Sequence, residues 1–180
     1  LQDSHHDGKE LASKASKFAD DYPHGNPSEI FDERKYQEDA IQLLVRTHSK
    51  PEINRALVVM ATGLGKTRVA CEFIRRASKI KPLKVLTLAH TNPLVYQLEK
   101  SFWPYLKASQ ETLVWNGHEH QSFDDLERSN FIFASVDIAA GHVDKGRELP
   151  DFDIVFIDEC HHVGDEGMYA NLISEIGAGR

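Results

Sequence analysis

The sequence predicts an α/β fold, a mainly parallel β-sheet with helices on both faces. Three observations predict it. Five short β-rich runs occur, ALVVMA (56–61), KVLTLA (84–89), TLVW (112–115), FIFAS (131–135) and DIVFID (153–158), each apolar on both faces. Amphipathic helical stretches separate most of them, and parallel strands require such crossovers. The bulk numbers allow one domain of ordinary size: 180 residues, 41% hydrophobic and 27% charged.

The elements follow in order. In residues 1–30, KELASKASKFADDY permits a short helix with Leu11, Ala15 and Phe18 on one face. The breaker cluster PHGNPS (23–28) then marks a linker. Residues 1–30 therefore read as an N-terminal extension and linker, and 31–180 as the domain proper. FDERKYQEDAIQLLVRTHSK reads as a helix with Tyr36, Ala40, Leu43 and Leu44 apolar, ended by Pro51. Helices are expected at KTRVACEFIRRASKI, at NPLVYQLEKSFWPYL, near VDIAAG and from MYANLISEIGAGR onward.

Composition excludes several classes. No apolar run approaches the roughly 18 residues of a membrane span, and the polar, acidic start LQDSHHDGKE is not a secretory leader. A net charge of −7 excludes a general basic sheath for nucleic acid, though not a local phosphate-contacting face. Cys71 and Cys160 are expected to be free thiols in a reducing compartment.

The first chemical motif is MATGLGKT (60–67), where a run of strand character enters a glycine loop and a helix opens near Lys66. Gly63 and Gly65 permit the backbone to turn its N–H groups inward, and with the helix N-terminus these make a phosphate cradle. Ala61, Thr62, Gly63, Leu64, Gly65 and Arg68 are expected to line it. Lys66 would reach the β and γ phosphates, and the Thr67 hydroxyl would hold Mg²⁺. The second motif is DIVFIDECHH (153–162), which puts an acid pair at a strand's carboxyl end, the edge where open α/β sheets bind ligands. Asp158 would hold the metal, and Glu159 would orient and deprotonate a water.

Together, MATGLGKT and DECHH resemble the first RecA-like domain of superfamily 2 helicases and translocases, DEAD/DEAH-like in the wide sense with a DECH box. They look most like restriction-enzyme motor subunits of the type III Res kind and related DNA repair helicases. In that family Met is a frequent first residue of the loop. ERKYQ (33–37) resembles the element before motif I, which implies that Gln37 reads the adenine edge and Arg34 stacks on the base. LAHTNPLVYQ (88–97) resembles motif Ia and implies nucleic-acid contacts at His90, Thr91, Asn92 and Gln97, although Thr91 stands where Arg is common. FASVDIAAG (133–141) resembles the motif usually written ATVQTL; Ser135 matches it, and Asp137 replaces a common Gln. His161 would couple hydrolysis to motif III.

The resemblance implies an ATP- and Mg²⁺-dependent hydrolase that moves on nucleic acid, DNA favoured over RNA. The alternative is an RNA helicase or an ATP-gated nucleic-acid sensor. Its expected partners are nucleic acid, a second RecA-like domain of the same chain and a nuclease or effector domain, in the cytoplasm or on a nucleoid, with no membrane. The 180 residues stop before motif III and before the second domain's arginine finger. Such fingers contribute about 10³- to 10⁵-fold in rate, so this segment is expected to bind ATP and hydrolyse it poorly.

Other residues have plainer readings. Cys160, His161 and His162 beside HEH (118–120) are poorly spaced for tetrahedral zinc, because adjacent side chains on an extended segment point opposite ways. Trp103 and Trp115 read as packing residues, and Arg75 and Arg76 as a solvated helix face.

Overall fold

A computed structural model of the chain describes residues 35–115, 117, 122–160 and 168–178. The extension and linker expected at 1–30 lie outside the described residues, as do Arg34, His161, His162 and the HEH segment. The elements are α1 (Lys35–His48), α2 (Lys66–Ala77), β1 (Val85–Ala89), α3 (Asn92–Phe102) with a 3₁₀ turn (Trp103–Tyr105), β2 (Thr112–Trp115), α4 (Phe123–Arg128), β3 (Phe131–Ser135), α5 (Val136–Val143), β4 (Ile154–Ile157) and α6 (Met168–Ala178).

The four strands form one all-parallel sheet in the order β2-β3-β1-β4. Val85 stands opposite both Phe131 and Ile154, and Thr112 also pairs with Phe131. This register sorts the side chains by the two-residue period of a strand. Val85, Phe131, Phe133 and Ile154 face one way and pack with Ile74 of α2 and with Val95 and Phe102 of α3. Leu86, Leu88, Ile132 and Ala134 face the other way, against Leu126 of α4, Ala139 and Ala140 of α5 and Leu172 of α6. Helices thus cover both faces, as the apolar runs require. Leu86, Leu88 and Ile132 are wholly buried, each contributing about 1.5–3 kcal/mol.

The run 56–61 departs from expectation. It forms no ladder with any described strand, and Leu57 and Val59 are 72% and 84% exposed. A parallel strand is buried only when neighbours pair with it and helices cover it, and the four described strands pair only with one another. The apolar composition of ALVVMA therefore does not translate into burial here. Helix α4, which carries too few apolar residues to show a period, was not foreseen. It begins with a capping box in which Ser122 and Asp125 satisfy each other's backbone N–H groups.

Arg75 and Arg76 also depart from the solvated face expected of them. Arg76 makes a two-pronged ion pair with Glu38 of α1, with Nη1–Oε1 and Nη2–Oε2 both 2.7 Å. Its Nε donates to Glu72 at 2.8 Å, and Arg75 holds the other side of the same carboxylate. The planar guanidinium fork suits this geometry. It fastens α1 onto α2.

Candidate functional site

The site grows from the start of α2. Gly65 is the N-cap of that helix at φ 84°, and Gly63 lies at φ 79°. Both values favour glycine because an L side chain there crowds the backbone. A glycine cap gives no side-chain acceptor to the first N–H groups of α2, which suits that end of the helix to an anion. Leu64 N–H closes the loop onto Ala61 O at 3.2 Å. Lys66 Nζ donates to Met60 O at 3.1 Å, which folds its ammonium back across the loop. Ala61 and Thr62 are exposed, and Thr67 is half-buried just inside the helix.

Asp158 follows β4 directly, and its N–H donates to Leu88 O of β1 at 2.9 Å. This continues the sheet by one residue and fixes the carboxylate at the carboxyl edge. Burial pushes the Asp158 carboxyl above the usual carboxylate range, the neighbouring Glu159 adds to the rise, and Lys66 opposes it. Lys66 lies near enough for its charge to act on the Asp158 carboxyl, although the two come from segments far apart in sequence. Glu159 is exposed and has φ 52°, the only non-glycine positive φ among the described residues. A glutamate in that region costs about 1–3 kcal/mol and persists where the surroundings impose it.

Gln37 of α1 is buried and closes over the loop, its Nε2 donating to Leu64 O at 2.9 Å. Its Oε1 accepts from Arg68 Nη1 of α2 at 2.8 Å. The Tyr36 hydroxyl also reaches Leu64 O at 3.3 Å, a contact the sequence did not suggest. Of the residues expected to meet nucleic acid, His90 and Thr91 are exposed just before α3, and Gln97 is exposed in the middle of that helix. Asn92 is the first residue of that helix, and its Oδ1 is buried without a hydrogen-bond partner. Ser135 differs: it is 4% exposed, and its hydroxyl accepts from Ile138 N–H as the cap of α5. A helix-capping role accounts for that serine without a ligand.

The donor set fits a magnesium nucleotide. Glycines with left-handed φ, an uncapped helix start and a lysine across the loop are the donors a phosphate group takes. Thr67 and Asp158 supply the hard oxygen donors that Mg²⁺ takes.

A parallel sheet with a glycine loop, a loop lysine and a strand-end aspartate at its carboxyl edge defines a RecA-like P-loop domain. More particularly, the chain belongs to the family of the type III restriction enzyme res subunit, whose pattern matches residues 30–178. It is 35% identical over 139 residues to the type I restriction enzyme EcoAI endonuclease subunit of Escherichia coli, covering 71% of this chain and 16% of that protein. It is 28% identical over 124 residues to a putative ATP-dependent RNA helicase of Methanocaldococcus jannaschii, covering 64% of this chain and 15% of that one. Among solved structures it resembles the ATP-dependent type ISP restriction-modification enzyme LlaBIII bound to DNA. There the TM-score is 0.58 and the identity 21%, over 80% of this chain and 11% of that enzyme. A nuclease-deletion mutant of the type ISP enzyme LlaGI, in complex with a DNA substrate mimic, gives a TM-score of 0.58 at 20% identity, over 73% of this chain and 15% of that one. These structural likenesses establish the fold. The chain spans less than a fifth of the length of any of these proteins.

Proposed function

We propose that this chain is the ATP-binding first motor domain of a DNA helicase or translocase of the restriction-enzyme kind. The observation that carries the proposal is the uncapped, glycine-led start of α2, with Gly63 and Gly65 at left-handed φ and Lys66 folded across the loop. The loop N–H groups and the α2 terminus would hold the phosphates, and Lys66, which donates to Met60 O, would serve the β and γ phosphates. Thr67 and Asp158 would hold Mg²⁺. When bound, Mg·ATP supplies an activated γ-phosphoryl group. Glu159 would orient the attacking water and take its proton. Arg34 stacks on the base that Gln37 reads, and His161 relays the state of the site. His90, Thr91, Asn92 and Gln97 face the nucleic-acid backbone, where helix N-termini and polar side chains contact phosphate. A second RecA-like domain completes the site, and a nuclease or effector domain uses the motion.

DNA is preferred because the structural relatives were solved with DNA or a DNA mimic. The resemblance to a putative RNA helicase supports the second reading, an RNA-directed motor or sensor.

The test has two stages. In the 180-residue chain, Lys66→Ala should weaken ATP binding about 10- to 100-fold, as expected for a charged hydrogen bond, while hydrolysis stays slow in both. In a chain extended through the second motor domain, DNA should stimulate hydrolysis and Glu159→Gln should slow it about 10²- to 10⁴-fold. Stimulation by RNA alone would favour the second reading, and ATP binding indifferent to Lys66 would overturn both.

A further inference from the structure

We infer that Arg68 is a positioning residue that fixes the orientation of the Gln37 carboxamide and thereby sets which purine the site admits. This rests on the nucleotide-site reading above.

The two ends of a primary amide differ, one accepting and one donating, and their near-equal shape does not tell them apart. Here the chemistry of both neighbours does. A guanidinium has five donors and no acceptor, so the Gln37 atom 2.8 Å from Arg68 Nη1 must be Oε1. A carbonyl accepts only, so the atom 2.9 Å from Leu64 O must be Nε2. Each end leaves one hydrogen-bonding position over, a lone pair on Oε1 and an N–H on Nε2. An acceptor beside a donor is the pattern that reads the N6 and N7 edge of adenine. Guanine presents two acceptors on that edge, so Oε1 would oppose its O6.

Gln37 is buried, 7% exposed. Without Arg68 its Oε1 has no other described partner, and the amide must turn to find one. Arg68 is itself held in place. It belongs to the first turn of α2, directly after Lys66 and Thr67, and its side chain also reaches the Tyr105 hydroxyl at the end of the 3₁₀ turn. The chain Leu64 O, Gln37, Arg68, Tyr105 therefore joins the phosphate loop, α1, α2 and the segment after α3. Close packing at Gly65 adds to the constraint: a Cβ there would lie 2.6 Å from Gln37 Nε2.

The experiment compares the 180-residue chain with Arg68→Ala, Arg68→Lys, Gln37→Ala and the double variant Arg68→Ala/Gln37→Ala. Two quantities are read. One is the ratio of GTP to ATP dissociation constants, measured with fluorescent nucleotide analogues. The other is the side-chain NH₂ resonance of Gln37 by NMR without nucleotide. Arg68→Ala should lower the ratio about tenfold, the loss of one charge-assisted hydrogen bond. The double variant should match Gln37→Ala, and Arg68→Lys, which keeps a donor, should restore part of the ratio. The Gln37 resonance should shift and exchange faster in Arg68→Ala.

Equal weakening of ATP and GTP by Arg68→Ala would mean that its charge merely attracts phosphate, and would overturn the inference. So would an unmoved Gln37 resonance. If the unaltered chain binds neither nucleotide, the functional reading fails, while the resonance still decides whether Arg68 orients the amide.

Discussion

Two glycines in the loop differ by one neighbour, and this separates backbone strain from side-chain placement. Gly63 and Gly65 both have positive φ, so an alanine at either costs about 1–2 kcal/mol from crowding of its Cβ. Around Gly63 a new Cβ meets nothing within 4 Å, whereas at Gly65 it meets the Gln37 amide. Gln37 is flexible enough to yield, so the extra penalty at Gly65 is its hydrogen bond to Leu64 O, about 1 kcal/mol. Gly63→Ala should therefore lower stability and spare the preference for ATP over GTP. Gly65→Ala should lower stability slightly more and erase the preference. Denaturant midpoints with paired nucleotide titrations check this, and an intact preference in Gly65→Ala would show that Gln37 does not read the base. The loop of Lys66 and Thr67 and the strand-end acids Asp158 and Glu159 were legible as candidates in the sequence because each pair lies in a contiguous motif. The pairing of Gln37 with Arg68 was not, because 31 residues separate them and no local pattern encodes an amide's orientation.

Between elements, the fastening of α1 to α2 rests on charge. Burial alone would push the Glu72 carboxyl up, but hydrogen bonds and charge from Arg75 and Arg76 outweigh it and hold Glu72 below the usual glutamate range. A depressed carboxylate adds stability above its unfolded pKa and loses it as pH falls through the folded one. The contribution of Glu72 should thus be complete near neutral pH and fade on acidification. Discounted for solvent screening, Glu72→Gln should cost about 1 kcal/mol at pH 7, and less at about pH 3, where loss of the contribution has begun below the ordinary carboxylate range. Urea midpoints of the two proteins at both pH values test the sign; a gap that widens with acid would contradict it. Sequence reading reached this layer unevenly. The spacing of Glu72 to Arg75 and Arg76 is a local helical signal. The bond from Arg76 to Glu38 spans 38 residues and depends on how two helices pack. Strands at 84–89, 112–115, 131–135 and 153–158 were legible to within a residue at their ends because each is a short run of mainly apolar and β-branched residues.

Across the whole domain, the same rule over-reads ALVVMA, since hydrophobicity reports what a segment would bury and not whether neighbours exist to bury it. In the sheet, Leu86 is wholly enclosed, while Leu57 and Val59 stand mostly in solvent. The two sites therefore make a matched pair. Leu57→Ser and Val59→Ser should each shift the stability of the 180-residue chain by no more than about 0.5 kcal/mol, the usual range for surface changes. Leu86→Ala should cost about 2–5 kcal/mol, because it removes buried methyl groups and leaves a cavity. Chemical denaturation of the three variants decides the matter. If either serine variant cost as much as Leu86→Ala, the run 56–61 would be a buried strand in solution, as its composition first suggested. If neither does, only the loop and α2 hold Lys66 at the carboxyl edge, and its bond to Met60 O is what ties the approach segment to the site. On that outcome ATP affinity should also survive both serine substitutions, because neither side chain supports the residues proposed to hold the phosphates.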